Sequence, residues 1–581
     1  MNALLIMLIS FVGYILMYRF YGRFIGRRIF LISNRNRVPS VEFEDGIDYV
    51  PTRKEIIFGH HFTSIAGTGP IVGPAIAIIW GWLPALLWVF VGSIVMGAVH
   101  DFGALVISMR NQGKSISDYT SRYINPRTRF FFFLIVFLEL WIVMSIFGLV
   151  IAVIFSIFPS SVLPVWLQIP IAMGLGVMIY RRGGSLTGWS FTAVALMYAT
   201  IVAGSFLPLE MPTLFGMPAP GVWTIILLLY AYFASVLPVT TLLQPRDFIN
   251  AYQLIIAMLL LVGGVLFSAF AGSLSIVAPA FQSAPEAAPP LWPFLFITIA
   301  CGAISGFHAL VSSGTSAKQV RQEDDALFVG YGSMLVEGAL ATLVIIAVAA
   351  GIGMGYTARS GEYLTGVSAW TNHYASWAAA AGLGSKIKAF VDGAANMISV
   401  IGIPRHIAVV VMGVFVASFA GTTLDTATRI QRYIITELFT TLRVKAFRNR
   451  YLATGLAVLS AAVLAFASGA DGKGALSLWP LFGAVNQTLA ALALIVVTLY
   501  LRAQGGWKWI YAGLPAAFMS IITLWAAVLN QLQFGTEHNL LLQIINVVII
   551  LVILWVTIEG VIRFFRTVPD STRVTGAVRE S

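Results

Sequence analysis

The sequence is poor in charged residues and in cysteine. Only 10% of its 581 residues are Asp, Glu, Lys or Arg, whereas a soluble globular protein contains roughly 25%. The single cysteine, Cys301, excludes an intrachain disulfide and a metal cluster built from several cysteines. Neither a soluble domain nor a disulfide-rich secreted domain is therefore expected.

Motifs for nucleotide and metal chemistry are also missing. The sequence contains no GxxxxGKS or GxxxxGKT loop, so we do not expect ATP to drive the protein directly, and it contains no HExxH motif. His60 and His61 are adjacent, and neighbouring side chains of a helix point about 100° apart, which argues against a shared metal ion. We predict no bound metal and no cofactor.

Long apolar segments are what the sequence has in abundance. Hydrophobic residues make up 59% of it, and its apolar runs approach the ~20 residues that a helix needs to cross a bilayer. We predict an all-α polytopic membrane protein, whose first apolar segment is a retained helix because its basic residues follow it. The fifteen predicted spans are 2–20, 57–80, 83–109, 130–158, 165–180, 187–207, 221–243, 249–272, 292–314, 326–354, 406–428, 451–468, 476–501, 508–530 and 540–565.

The distribution of basic residues orients these spans. With the N-terminus outside and the C-terminus in the cytoplasm, all but five of the 35 Lys and Arg residues lie on the cytoplasmic side. The five exceptions are Arg359, Lys386, Lys388, Arg405 and Lys473. The same bias explains the formal net charge of +11 without nucleic acid as a partner. On the outside, segment 356–405 is expected to be a lid or an interfacial helix, or simply a surface helix.

The second span contains a sequence that should break a helix. Residues 59–74 read GHHFTSIAGTGPIVGP, and its two prolines each remove a helical hydrogen bond. Inside a membrane such a break survives only where protein or a wet cavity satisfies the backbone. The freed N-terminus of the outer half-helix suits a carboxylate. We therefore predict a substrate site here, formed by His60, His61, Thr63, Ser64, Gly67, Thr68 and Gly69.

Transporters built from inverted repeats have a second broken helix at the corresponding position. The seventh span is one candidate, with Pro238 followed by Thr240 and Thr241. An offset of five spans gives the opposite orientation, which predicts a five-plus-five, LeuT-like core over 57–428. Segment 1–56 would precede this core, and segment 429–581 would add a cytoplasmic linker and four accessory helices. The ninth span competes for the same role, because His308 precedes Gly314 and Thr315 with the spacing of His61, Gly67 and Thr68.

Ionisable residues inside the predicted spans are costly and indicate function. Asp101, His308 and Glu337 lie deepest, and we expect them to handle protons, since histidine titrates near neutrality. Asp425 either joins them or forms an i,i+4 pair with Arg429. Asn486 and Gln487 are expected to bind other helices or to take part in function. In a five-plus-five core, Ser312, Ser313 and Thr315 of the ninth span would face the first break. A sodium site would instead use Ser312, Ser313 and carbonyl groups near Gly67.

Taken together, these segments resemble the carbon starvation protein A (CstA) family of bacterial transporters. The matching segments are 59–75, 97–116, 234–247, 305–320, 330–338, 418–433 and 478–494. The resemblance implies uptake of peptides or pyruvate across the bacterial inner membrane under nutrient limitation, and a five-plus-five core. We therefore predict a non-enzymatic symporter of small carboxylate-bearing nutrients, coupled to H⁺ or alternatively to Na⁺. A membrane sensor with a transporter-like core is the other alternative. The oligomeric state is left open.

Overall fold

The structure is a computed structural model that describes residues 2–358 and 360–566. Arg359 and the basic residues of 567–581, which entered the charge count, lie outside the described residues. Within the described part, thirteen helices are long and apolar enough to cross a membrane. They are Ala3–Ile29, Lys54–Trp80, Trp82–Met109, Pro126–Ile157, Pro159–Ile179, Thr187–Phe206, Ala219–Val236, Leu243–Phe270, Leu327–Met354, Arg405–Thr440, Lys473–Ala503, Ile510–Thr536 and Leu540–Arg566.

Two other predicted spans are helical but do not reach that length. The ninth is interrupted, and the twelfth is the 16-residue helix Arg450–Ala465. The protein is therefore nearly all helical, as predicted, while the number of helices that cross the membrane stays a prediction.

The first half of the chain contains twelve α-helices. Their bounds are α1 Ala3–Met17, α2 Pro39–Glu42, α3 Lys54–Ala66, α4 Gly69–Ala77, α5 Trp82–Val91, α6 Ala98–Met109, α7 Ile116–Tyr123, α8 Pro126–Ile157, α9 Val162–Gly176, α10 Leu186–Phe206, α11 Ala219–Val236 and α12 Leu243–Phe270. A π-helical segment, Gly92–Gly97, joins α5 to α6.

The described part of the second half contains eleven more α-helices and a two-stranded antiparallel ribbon. Their bounds are α13 Leu291–Thr298, α14 Gly306–Gly314, α15 Ser333–Ala349, β1 Tyr356–Thr357, β2 Tyr363–Leu364, α16 Gly366–His373, α17 Trp377–Ala380, α18 Leu383–Ser399, α19 Arg405–Thr441, α20 Arg450–Ala465, α21 Trp479–Ala503, α22 Ile510–Thr536 and α23 Leu540–Arg566.

The second span is broken where the sequence predicts it. Helix α3 ends at Ala66, and Gly67 has a φ of +32°, a conformation that side chains disfavour. Helix α4 restarts with Pro70 in its first turn, where proline is well tolerated because that N–H has no helical partner. The glycines and prolines thus form a true interruption, and Pro74 lies within the outer half-helix.

The second break lies in the ninth span, and its predicted place in the seventh span is wrong. Helix α11 is continuous to Val236, so Pro238, Thr240 and Thr241 belong to the connection between α11 and α12. The residue before a proline is biased towards extended backbone, which here ends the helix. In the ninth span α13 ends at Thr298 and α14 begins at Gly306.

Packing between helices follows a repeated pattern. The long helices α8 and α19 pack on each other, α11 packs on α8, and α20 packs on α19. Helix α12 packs on the broken segment α3, as α21 packs on α14. The five-plus-five arrangement stays a prediction, with changed members. One half would be α3–α4, α5–α6, α8, α11 and α12, and the other α13–α14, α15, α19, α20 and α21, with α9 and α10 inserted into the first half.

Candidate functional site

The two broken segments meet each other. A side chain added at Gly69 would overlap Cys301, which lies in the second break. Gly302, with φ of +90°, is also close, because a Cβ there would lie 3.6 Å from Cβ of Pro70. Gly69 and Cys301 are both partly exposed, whereas most of their neighbours are buried. The crossing of the two breaks is therefore a partly open point in the membrane core.

A cluster of ionisable side chains lies beside this crossing, on α6, α14 and α15. Nδ1 of His308 is 3.0 Å from Oδ2 of Asp101, and Nε2 of His308 is 3.5 Å from Oε2 of Glu337. The other oxygen of Asp101 is 2.7 Å from Nδ1 of His100. All four side chains are fully buried. The sequence predicted the depth of Asp101, His308 and Glu337, and the structure brings the three together.

This cluster also contacts the backbone of the second break. Oε1 of Glu337 accepts a hydrogen bond from the N–H of Gly302 at 3.0 Å. The thiol of Cys301, a nitrogen of His308 and a carboxylate oxygen of Glu337 lie within 4.8 Å of one another. Sequence spacing did not reveal this grouping, because the three residues lie in the break, on α14 and on α15. Any movement of the break will therefore change the surroundings of these ionisable groups.

Asn486 and Gln487 bind backbone groups that the second break leaves free. Oδ1 of Asn486 accepts the N–H of Phe307 at 2.9 Å and the hydroxyl of Ser305 at 3.1 Å. Nε2 of Gln487 donates to the carbonyl of Phe296 at 2.7 Å. The interpretation as bonds between helices is thus correct for both. By contrast, Thr68, the N-cap of α4, makes no side-chain cap. Pro70 has no N–H and Ile71 donates to the Thr68 carbonyl at 3.2 Å, so in this first turn the N–H of Gly69 is the group left for a ligand.

The predicted substrate residues on α3 contact neighbouring helices. His60 lies 2.6 Å from Asp247 through Nδ1 and 3.1 Å from Thr315 through Nε2. Nδ1 of His61 is 2.8 Å from the hydroxyl of Ser316. The two histidines therefore bind α12 and the region at the end of α14.

The hydroxyl groups near the first break are engaged differently from one another. Thr63 donates to the carbonyl of Gly59 at 2.8 Å, within its own helix. Ser64 pairs with Thr426 of α19 at 3.0 Å. Ser313, expected to face the first break, instead donates to the carbonyl of Ala309 and accepts the N–H of Ile116 at 3.1 Å. Ser312 is buried and its hydroxyl has no partner among the described residues.

Asp425 is paired with Arg246, and its alternative pairing with Arg429 is wrong. Oδ2 of Asp425 accepts hydrogen bonds from the Arg246 guanidinium and from the Tyr230 hydroxyl. Sequence reasoning missed Arg246 and Asp247, because it began the eighth span at 249 and left both in a loop. Helix α12 begins at Leu243, and Arg246 is only 5% exposed. The sequence feature that could have revealed them is the pair of opposite charges, Arg246 and Asp247, directly before an apolar run.

Arg429 binds the loop that precedes α3. Its guanidinium donates to Asp48 at 2.7 Å, and Arg432 and the Tyr433 hydroxyl bind the same carboxylate at 3.1 and 2.7 Å. Burial opposes the charge of Asp48, but the nearby Arg429, Arg432 and Lys318 outweigh it and hold its pKa below the ordinary value. The loop therefore carries a stable negative charge that binds α19.

Segment 356–405 packs on α4, the second half of the broken second span. Trp377 contacts Trp80 with ring centres 5.4 Å apart, the Tyr374 hydroxyl donates to the carbonyl of Ala75, and α18 packs on α4, α15 and α19. Its Lys386 is buried, with Nζ 5.3 Å from the centre of the Trp479 ring. Burial lowers the pKa of Lys386 to about 8. The alternative of a plain surface helix is wrong for α18.

Two carboxylates that the sequence placed in spans lie outside these clusters. Glu139 of α8 is fully buried, and neither of its oxygens has a partner among the described residues. Glu559 of α23 accepts a hydrogen bond from Asn125 at 3.0 Å, which ties the last helix to the start of α8.

Comparisons with known proteins agree with this architecture. A family model described as "Carbon starvation protein CstA" matches residues 2–526. The Peptide transporter CstA of Bacillus subtilis is 34% identical over 559 residues, which are 90% of this chain and 90% of that protein. The one of Campylobacter jejuni is 32% identical over 573 residues, 89% of this chain and 78% of that protein.

A relative with a different name and a solved structure complete the comparison. The Pyruvate/proton symporter BtsT of Escherichia coli is 31% identical over 586 residues, 90% of this chain and 81% of that protein. A manganese transporter of Eremococcus coleocola has a TM-score of 0.52 with 13% identity, covering 90% of this chain and 99% of its own. At that identity the likeness shows the fold alone, which is of the LeuT type.

Proposed function

Because the chain belongs to the carbon starvation protein CstA family, we propose that it is a secondary active symporter. It imports a small carboxylate-bearing nutrient, a peptide or pyruvate, together with protons. Its relatives are named for peptides and for pyruvate with protons, and a carboxylate is the group that these solutes share. The relatives are transporters, and we propose that this protein likewise catalyses no chemical reaction.

The observation that carries the proposal is the contact of His308 with both Asp101 and Glu337 beside the crossing of the breaks. A buried charge is costly unless it is paired, and a buried group that loses its partner takes up or releases a proton instead. Because Glu337 also binds the N–H of Gly302, movement of the break alters its pairing. Proton binding and the position of the half-helices are then linked.

The solute enters at the partly open crossing beside the N-terminus of α4. That terminus has no side-chain cap, and the partly exposed Gly69 and Cys301 lie at its first turn. The N–H of Gly69 can donate to a polar oxygen of the solute, because Pro70 has no N–H and Ile71 already donates to the Thr68 carbonyl. Of the predicted substrate residues, Gly67, Thr68 and Gly69 are retained in this proposal. His60, His61, Thr63 and Ser64 hold α3 against its neighbours.

We further propose the orientation that the basic residues indicate, in the bacterial inner membrane, with the N-terminus outside and Asp48 and Arg429 on the cytoplasmic side. Use under carbon limitation follows from the family's name. Sodium coupling is a second candidate, supported by the unpartnered hydroxyl of Ser312, since Na⁺ prefers oxygen ligands.

Reconstitution into sealed liposomes tests this proposal. The vesicles should accumulate labelled pyruvate or dialanine when an inward proton gradient is imposed in sodium-free buffer, and a protonophore should stop accumulation. Uptake that requires Na⁺ at constant proton-motive force would replace proton coupling by the second candidate. Absence of concentrative uptake of both solutes under both gradients would contradict the symporter proposal.

A further inference from the structure

A small cavity lies between the predicted core and the inserted helix α9. Its volume is about 30 Å³, roughly that of one water molecule in the liquid. Apolar side chains of α8, α9, α11 and α19 form most of its wall. Its polar lining consists of Trp166, Gln168, Tyr230, Arg246 and Ser418.

Arg246 is held at the edge of this cavity by partners on three helices. Its guanidinium binds Asp425 of α19 and the Tyr230 oxygen of α11, and Nη2 donates to Thr422 at 2.7 Å. Nη2 of Arg246 also lies 3.6 Å from Oδ1 of Asp247, the next residue of α12. The guanidinium is therefore fixed in place by α11, α12 and α19.

Several polar atoms at this edge lack partners within residues 2–358 and 360–566. They are Nε of Arg246, Nε1 of Trp166 and Oδ1 of Asp425. Buried polar atoms nearly always have a hydrogen-bond partner, so unpartnered ones need an explanation. The two nitrogen atoms are donors on residues that line the cavity, and a planar guanidinium suits a carboxylate ligand.

We propose that this cavity binds the carboxylate of the transported solute, which replaces Asp425 as the partner of Arg246. The inference rests on the proposed function and deepens it by naming the site of the carboxylate. When the ligand takes the guanidinium, the Asp425 carboxylate loses its positive partner and binds one proton, forming one O–H bond. One negative charge and one positive charge enter together, so the net charge of the buried cluster is unchanged.

The other charged groups around the pair do not take over the role of Arg246. Asp247 on α12 is paired with His60 of α3, and α11 presents the neutral Tyr230. Helices α8 and α9 present no charged side chain among the described residues that line the cavity. An Asp425 carboxylate without Arg246 is therefore unbalanced.

The cavity is connected with the first break through α19. Thr422 binds Arg246, and the next residue, Thr423, packs so closely on the break that a Cβ at Gly67 would lie 2.5 Å from its hydroxyl. A ligand at Arg246 thus affects Thr422, and a movement of the break at Gly67 affects Thr423, the next residue of the same helix. Helix α9 forms the opposite wall, fixed by Gln168 to Gln253 at 3.1 Å and to Ser418 at 2.9 Å. Helix α9 has to move away from α19 before the cavity can hold a ligand larger than a water molecule.

Binding to the purified full-length protein tests the proposal, with labelled pyruvate and dialanine as probes. We expect Arg246→Gln to lower affinity roughly 100-fold, since a hydrogen bond to a charged group is lost. Asp425→Asn should still bind and exchange solute but should no longer concentrate it under a proton gradient. The methyl ester of pyruvate, which has no anionic carboxylate, should not compete in the wild type.

A matched tryptophan pair covers the case in which Arg246→Gln does not fold. Trp166→Phe removes the free indole N–H and should weaken binding about threefold to tenfold. Trp223→Phe alters a ring stacked on Trp166 that does not line the cavity, and it should bind as the wild type does. Equal affinities of the two variants, or wild-type affinity in Arg246→Gln, would overturn this inference while wild-type accumulation still supported the symporter. If the wild type concentrates neither probe, the symporter proposal itself fails, and this inference with it.

Discussion

Nδ1 of His308 lies 3.0 Å from Oδ2 of Asp101, although the two residues are 207 positions apart. The contact joins the inner half of one broken segment to α6, which runs unbroken from Ala98 to Met109. The other nitrogen of His308 faces Glu337 of α15. A single imidazole thus contacts two acids on two helices, and its protonation state depends on whether α14 stays in place.

Asp101→Asn and Glu337→Gln keep the shape of each side chain and remove its ability to ionise. At least one of them should reduce concentrative uptake to the level of empty liposomes, because a fixed neutral group cannot carry the coupling proton. Exchange of labelled for unlabelled solute should continue, since it needs no net proton movement. Uptake and exchange are measured in the same vesicles.

The control for these variants is Glu559→Gln, which changes an acid that binds Asn125 at the start of α8. It should accumulate solute as the wild type does. Full accumulation in both Asp101→Asn and Glu337→Gln would show that neither residue carries the proton.

The glycines of the first break should be sensitive to alanine. At Gly67, with φ of +32°, an added Cβ would lie 2.5 Å from the Thr423 hydroxyl, and the strained backbone conformation adds ~1–3 kcal/mol. We expect the Gly67→Ala, Gly69→Ala double variant to insert into the membrane but to lose solute binding. Thr68→Ala removes only a hydroxyl and should weaken binding less. Surface expression and equilibrium binding are the two measurements.

A second substitution distinguishes a binding site from simple helix packing. A Cβ at Gly69 would overlap the Cys301 side chain, so Cys301→Gly should restore expression to Gly69→Ala if crowding alone is the cause. Restored expression without restored binding supports a substrate site at the break. Normal binding in Gly67→Ala, Gly69→Ala and Thr68→Ala would place the site elsewhere.

The sequence revealed the first break more clearly than the second. Gly67, Gly69 and Pro70 disrupt a helix by their own backbone properties, so local chemistry was sufficient. The second break has no proline between α13 and α14, and it depends on Asn486 and Glu337 from distant helices. Pro238 had the local signature of a break but merely ends α11. The pairing of Asp425 with Arg246 was not readable either, because it depends on the packing of α12 against α19.

In the proposed orientation, closure of the cytoplasmic side should depend on Asp48. Its carboxylate binds Arg429, Arg432 and Tyr433, and charge-assisted hydrogen bonds of this kind contribute ~1.5–3 kcal/mol each. Asp48→Asn should therefore raise the open fraction at least about tenfold. Cys301 is the only cysteine, so its reaction with an impermeant thiol reagent in inside-out vesicles reports this opening without further engineering.

Asp471→Asn is the matched control, because Asp471 pairs with Lys473 at an exposed turn. It should leave the labelling rate of Cys301 unchanged. A rate in Asp48→Asn equal to that of the wild type would mean that this ion pair does not hold the cytoplasmic side closed.

Lys386 should make the stability of the protein depend on alkaline pH. Burial lowers its pKa from 10.5 to about 8, so between these values the unfolded chain binds a proton that the folded protein has released. Stability therefore rises with pH across that interval, by up to ~3 kcal/mol. Lys386→Met has no such group and should be the more stable protein at pH 7. The loss of the contact between the Lys386 ammonium and Trp479 reduces this gain in stability. This advantage should shrink as the pH approaches 10.

Lys388→Met, which changes a more exposed lysine paired with Asp392, retains Lys386 and should follow the wild type. Thermal unfolding midpoints in detergent at pH 7, 8.5 and 10 measure the difference. A constant gap between wild type and Lys386→Met would show that Lys386 keeps its proton in the folded protein throughout this range.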